Sequence, residues 1–179
     1  MLRWSFLFVI VALRASGQDL PKSVKFNTPL MAVVFLSPDC PISQKYMKKL
    51  SDLKAEYEGK VTFLAAVPAP ATKAEIKEFW TEYKSTLPVE QDKELTLVKL
   101  LNAKMTPEIF LFDGTRALVY HGAIDNWYYE LGKNRREITE FYFKDAVAAA
   151  LNGTRPKIAF TEAVGCQIQL PQHGHHHNH

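Results

Sequence analysis

Met31–Leu36 is an unbroken apolar run, bounded by Thr28-Pro29 before it and Ser37-Pro38 after it. Its branched and aromatic content predicts a strand buried on both faces. After Pro41 the apolar positions become periodic: Ile42, Tyr46, Leu50, Leu53 and Tyr57 lie on one face of a helix that ends near Gly59. Val61–Val67 predicts a second strand, closed by Pro68 and Pro70. Thr72 with Glu75 forms a capping box opening a helix that carries Ile76, Phe79, Trp80 and Tyr83. Leu87–Gln91 has room for only a brief strand, and Asp92 can cap a helix through Leu95, Val98, Leu101 and Asn102. Met105-Thr106-Pro107 leads into Glu108–Phe112, and Asp113-Gly114 turns the chain into Ala117–Ile124, a hairpin signal. A polar and aromatic stretch, Asp125–Arg136, precedes a final helix over Ile138–Leu151, stopped by Asn152-Gly153. Strand–helix–strand units require parallel neighbours, and the hairpin adds antiparallel ones. The expected architecture is α/β, a mixed central sheet flanked by helices on both faces.

With 179 residues, 47% hydrophobic and 23% charged, the chain has the length and composition of one globular domain. Twenty-two basic against 19 acidic side chains give +3, too balanced for a nucleic-acid binder. Residues 1–17 place Arg3 ahead of a short apolar run that meets Ala15-Ser16-Gly17, the pattern of a signal peptide cut before Gln18. Its removal would take two arginines and leave a charge of +1. The mature protein is then expected to be extracytoplasmic, periplasmic or secreted, with no membrane span, where a disulfide is chemically permitted. The tract 173–179 holds five of the six histidines and is a candidate Cu or Zn ligand set needing no fold.

Two cysteines cannot build a disulfide-dense scaffold or a four-thiolate zinc site, so they are one pair or two separate thiols. Cys40 follows a buried strand and precedes a helix whose first residue is Pro41. The unpaired N–H groups and dipole of a helix start favour an anion, so a thiolate there is expected to have a lowered pKa. Ser37 and Ser43, three residues to either side, are candidate donors to the sulfur. A buried structural cysteine at a strand end is the competing reading.

The segments Phe35-Leu-Ser-Pro-Asp-Cys40-Pro-Ile-Ser43 and Met105-Thr106-Pro107-Glu-Ile-Phe-Leu-Phe-Asp113-Gly114 resemble the thioredoxin-like redoxin family over roughly residues 24–152. That group includes exported thiol-disulfide oxidoreductases and the peroxiredoxin, alkyl hydroperoxide reductase branch. The resemblance implies a thioredoxin-like fold, a cis Thr106-Pro107 bond facing Cys40, a role for Thr106 and Pro107 in positioning substrate, and no required cofactor. The chain departs from the dithiol pattern, because Ser43 stands where the second cysteine would be. Ser37-Pro-Asp-Cys40 instead resembles the peroxiredoxin arrangement, although that family's upstream proline would fall at Val33 and its arginine has only Arg116, Arg135 and Arg136 as candidates.

Cys166 lies beyond the last predicted helix, in an Ala-Val-Gly-Cys segment that resembles the ending of a subset of exported bacterial redoxin-domain proteins. The division expected is a signal peptide (1–17), a redoxin domain (18–155), an arm (156–172) and the histidine tail (173–179). An arm folded back would bring the Cys166 sulfur to Cys40, as a resolving thiol or as a permanent staple; two unconnected thiols are the third reading. A crosslink closing so long a loop would stabilise by about 4–5 kcal/mol in the chain-entropy model.

The leading expectation is an exported redox protein performing thiol-disulfide exchange or peroxide reduction through Cys40 and Cys166. Its substrate would be a protein disulfide or a peroxide, with an unidentified electron donor. Cys40 should be held at the helix mouth, within reach of solvent and opposite Pro107. The rivals are a copper-handling module and a non-catalytic domain with a structural Cys40–Cys166 disulfide. His121 reads as a base, a ligand or a hydrogen-bonded strand residue, and Trp127, Tyr128 and Tyr129 as a groove lining or as packing.

Overall fold

Every side chain of β1 (Leu30–Phe35) is buried, as an apolar run without polar alternation requires of a central strand. The computed structural model describes residues 19–170, so the predicted signal peptide and histidine tract lie outside the described residues. After β1 come α1 (Pro41–Glu56), β2 (Val61–Pro68), α2 (Lys73–Glu82), β3 (Val89–Asp92) and α3 (Thr96–Leu101). They are followed by β4 (Met105–Thr106), β5 (Glu108–Asp113), β6 (Leu118–Gly122), β7 (Tyr128–Glu130), β8 (Lys133–Asn134), α4 (Tyr142–Leu151) and β9 (Cys166–Gln167). The main sheet has the order β3-β2-β1-β5-β6, parallel through its first three strands and antiparallel from β1 to β6.

Alternation along β1 splits the core between the two faces of the sheet. Ala32 and Val34 pack with Ile42, Tyr46 and Leu50 of α1 and Phe143 of α4. Met31, Val33 and Phe35 pack with Val98 and Leu101 of α3. The capping box forms as expected: Thr72 N–H donates to Glu75 Oε2 (2.7 Å), and Glu75 N–H to Thr72 Oγ1 (3.3 Å). Asp92 caps α3 from four residues upstream, accepting from the N–H groups of Thr96 (2.7 Å) and Val98 (2.9 Å).

Two expectations shift. The last helix begins at Tyr142 rather than Ile138, because Asn126 Oδ1 accepts from the Thr139 and Glu140 N–H groups at 3.0 and 3.2 Å and holds them outside the helix. The polar and aromatic stretch is partly ordered as the β7–β8 hairpin. Trp127 and Tyr128 pack on Tyr46 of α1, with ring centroids 5.4 and 6.2 Å apart, so these two serve packing. Among the described residues no helix is long and apolar enough to cross a membrane.

After α4 the chain returns across the domain. His121 N–H donates to Ala159 O and Thr161 N–H to His121 O, both at 3.1 Å, laying the arm along the free edge of β6. Gly122 permits this crossing, since a Cβ there would stand 1.9 Å from Thr161 O. Beyond the crossing, β9 pairs antiparallel with β4 in the register Thr106↔Cys166 and Met105↔Gln167. Ala163 and Ile168, buried on either side of Cys166, anchor the passage.

Candidate active site

Cys40 occupies the N-cap of α1, with Pro41 next, where the missing N–H costs nothing. Its own N–H donates to Ser37 O (3.1 Å) and its carbonyl accepts from Gln44 N–H (3.0 Å), so the turn and the first helical bond fix its backbone. Its Sγ lies 2.9 Å from the Thr106 carbonyl oxygen, which accepts the thiol proton. The Thr106-Pro107 bond is cis, and Pro107 is buried beside this contact. The structure therefore brings the β1–α1 junction and the loop before β5 together at one sulfur.

The arm adds a second sulfur. Cys40 and Cys166 are both free thiols, and the Thr106↔Cys166 pairing brings the second to the loop whose carbonyl holds the first. Burial is the strongest single influence on Cys40 and opposes its charge. The neighbouring Cys166, Ser43 and Thr106 groups favour the charged form and together outweigh burial, so the Cys40 pKa lies below the ordinary 9.0. The Thr106 carbonyl, which accepts the thiol proton, works against ionisation, and the helix start works for it. The Thr106 hydroxyl also lies 3.3 Å from Cys166 O, so it ties the arm to the same loop. Cys166 moves oppositely: burial, its bond to Cys40 and the Cys40 charge push its pKa up to about 12. The pair is asymmetric, an acidic thiol and a proton holder.

Two sequence expectations are corrected. Cys40 is only 1% exposed, not within reach of solvent: it belongs to the hydrophobic core with Leu36, Ile42 and Ile109, against which Val164 and Cys166 of the returning arm pack, and Thr106 O lies on its sulfur. Ser37 does not donate its hydroxyl to the sulfur. The tight turn directs its main chain inward instead, its N–H donating to Ser43 Oγ (3.3 Å) and its carbonyl accepting from Cys40. Ser43 is fully buried, and its Oγ accepts from Ser37 N–H.

Beside the pair a cleft of about 10 Å³, water-sized, is bordered by Pro107, Val164, Tyr46, Tyr128 and Asp125. Sequence reading missed Asp125, which is 3% exposed and accepts from Tyr46 Oη (2.6 Å), Trp127 N–H (2.9 Å) and Lys49 Nζ. Its partners on α1 are 79 and 76 positions away, so no local pattern could announce it. His121 stacks between Phe110 and Phe160, at 5.2 and 4.7 Å, with Nδ1 3.6 Å from Glu108 Oε1 and no hydrogen-bond partner among the described residues. It pairs with Phe110, on the opposite face of the sheet from Ile109 and Cys40. Among the described residues no group of three or more His, Cys, Asp or Glu converges as a metal site.

Comparison with known proteins follows the same lines. The family described as thioredoxin-like domain matches residues 18–129. A hypothetical protein of Sinorhizobium meliloti 1021 is similar at 26% identity and a TM-score of 0.71, covering 79% of each chain. An uncharacterized conserved protein of Geobacillus kaustophilus gives 23% identity and a TM-score of 0.70, covering 82% of this chain and 79% of that one. A thioredoxin-like protein in its oxidized form gives 17% identity and a TM-score of 0.58 over 76% and 87% of the two chains. No curated protein matches the sequence.

Proposed function

The chain belongs to the thioredoxin-like domain family, and from that footing we propose that it is a thiol-disulfide oxidoreductase whose redox pair is Cys40 and Cys166. The observation that carries the reading is the β4–β9 pairing that sets Cys166 opposite Thr106, whose carbonyl oxygen lies 2.9 Å from the Cys40 sulfur. In the reducing direction, the arm that carries Cys166 lifts from the buried Cys40, and the Cys40 thiolate attacks one sulfur of a substrate disulfide. That S–S bond breaks, the departing sulfur takes a proton from solvent, and a mixed disulfide forms on Cys40. Cys166 then gives its proton to solvent and attacks the Cys40 sulfur. The second substrate thiolate leaves and is protonated, and a Cys40–Cys166 disulfide remains. Two electrons have passed from the pair to the substrate, and a donor dithiol must return them. Thr106 and Pro107 border the sulfur that the substrate approaches.

Exchange is better supported than peroxide reduction by where two of the three candidate arginines go. The Arg116 guanidinium donates to Pro21 O (2.7 Å) and Val24 O (3.0 Å), and Arg135 donates to Asn126 O (3.0 Å) while lying over Tyr129. With the leader over residues 1–17, the reading places this exchange outside the cytoplasm. The test is insulin-disulfide reduction and peroxide consumption by the native protein, Cys40→Ser and Cys166→Ser. Cys40→Ser should abolish insulin reduction, and Cys166→Ser should accumulate a mixed disulfide on Cys40. Insulin reduction that survives Cys40→Ser would overturn the assignment.

A further inference from the structure

Charges on α2 are sorted by face. Lys73 and Lys77 are four residues apart and Lys84 continues their stripe, whereas Glu75, Glu78 and Glu82 follow the opposite side of the helix. The lysine stripe borders an open groove of about 720 Å³ between α2 and β3, with Ile76, Trp80 and Val89 as its apolar wall. None of these residues touches Cys40 or Cys166.

The groove runs beside an unpaired strand. The main sheet has two outer strands, β6 and β3. The arm covers β6 through the His121–Phe160 bridge, while among the described residues β3 pairs only with β2. Ala65 N–H donates to Pro88 O (2.8 Å) and Ala69 N–H to Asp92 O (3.3 Å), so the even-numbered positions face β2. By strand alternation Val89 and Gln91 turn their N–H and C=O groups outward. Such an edge is a template for another extended chain.

We propose that this groove docks an extended acidic segment of a partner protein, added antiparallel or parallel to β3 as a further strand, with alternate carboxylates against Lys73, Lys77 and Lys84. Side chains on one face of a strand repeat at about 6.6 Å, and a four-residue helical step rises about 6 Å, so alternate acids can meet Lys73 and Lys77 in turn. A second copy of this chain is a poor occupant: pairing β3 with β3 about a two-fold axis would set two lysine stripes against each other. The surface is independent of the thiol chemistry, so it stands or falls separately.

The experiment uses the whole protein labelled with 15N and a synthetic eight-residue peptide alternating Glu and Val. Expected are shifts at the Val89 and Gln91 amides and the Trp80 indole, slowed amide exchange at Val89 and Gln91, and binding that weakens as salt rises through about 0.15 M. The exposed double variant Lys73→Glu with Lys77→Glu should weaken binding by roughly tenfold while leaving the insulin assay unchanged. Equal binding of a peptide alternating Lys and Val, or affinity indifferent to the double variant, would overturn the charge assignment. Shifts without slowed exchange at Val89 and Gln91 would overturn strand addition.

Discussion

Gly165 is the position at which the returning arm passes closest to the loop before β5. A Cβ built there would stand 2.1 Å from the Thr106 carbonyl oxygen, 2.7 Å from its carbon and 3.1 Å from Pro107 N, all of them backbone atoms. The loop is poorly able to yield. The Glu108 carboxylate accepts from Lys104 N–H (2.7 Å) and Met105 N–H (3.2 Å), and the Thr106 carbonyl is engaged by Cys40. In Gly165→Ala the arm must therefore lift, by about 1 Å or more to regain ordinary contact. The two-residue β4–β9 pairing and the Thr106 hydroxyl bond are the contacts at risk. At about 0.5–1.5 kcal/mol for each hydrogen bond, losing two or three costs about 2 kcal/mol, roughly a thirtyfold shift from seated to lifted arm.

Lifting the arm has two separable consequences for Cys40. The sulfur loses its cover, so the high-pH plateau of its alkylation by iodoacetamide should rise, by up to roughly thirtyfold where opening limits access. It also loses the Cys166 donor, so fewer molecules carry the thiolate at neutral pH and the midpoint of the rate–pH profile should move up toward the ordinary 9.0. Rates measured on Gly165→Ala and on the native chain, with Cys166 kept and the alkylated cysteine identified by peptide mapping, give both quantities. An unchanged plateau would refute the arm as the cover of Cys40. A raised plateau with an unmoved midpoint would refute Cys166 as a support of the thiolate.

Other perturbations test the surroundings of the pair. Burial raises the pKa of Tyr57 and, with the Glu140 hydrogen bond first in rank, that of Tyr142, each to about 12, and burial also raises Tyr46 and Tyr120. A raised folded-state pKa means stability that is complete below the unfolded value near 10 and is lost as pH rises above it; alkaline melting should show near-ultraviolet circular dichroism lost together with ionisation of these four, and more than three of the seven tyrosines ionising near pH 10 in still-folded protein would contradict the burial. Tyr46→Phe removes the 2.6 Å bond to Asp125 but leaves Lys49 and Trp127 N–H in place, so calorimetry should show a loss of about 1–3 kcal/mol; no loss would mean that the Tyr46 hydroxyl does not support Asp125. Once oxidised, the Cys40–Cys166 bond should open in mild dithiol reductant without denaturant, read by thiol counting, whereas a bond that opens only after unfolding would make it a staple. The resolving step should titrate below the about 12 of the resting Cys166, because a mixed disulfide on Cys40 removes the Cys40 charge and hydrogen bond that hold the Cys166 proton; stopped-flow release of insulin thiols against pH checks this, and a midpoint as high as that of the resting thiol would defeat it.

What the sequence disclosed, and what it hid, follows from the range of the interactions. Β1, α1 and the Thr72–Glu75 box are specified within a few residues by apolar runs, four-residue spacing and reciprocal capping, and these were legible. Cys40 could be placed at a helix start for the same reason. Its burial could not, because the cover comes from Thr106 and Cys166, contacts that no spacing rule connects. The error at Ile138 has the same origin: apolar and helix-forming residues favour continuing α4 toward the N-terminus, but Asn126 captures the Thr139 and Glu140 N–H groups across a loop of 13 and 14 residues. Ser37 shows the limit of counting alone, since residues at equal distance from Cys40 diverge once the chain turns on one side and winds on the other. Winding buries Ser43 inside the first turn of α1, whereas the turn spends the polar main chain of Ser37 on Cys40 N–H and Ser43 Oγ. The acidity of Cys40 thus depends on a local helix start that the sequence encodes openly and on an arm delivered from beyond α4, and only the second of these can move without unfolding the sheet.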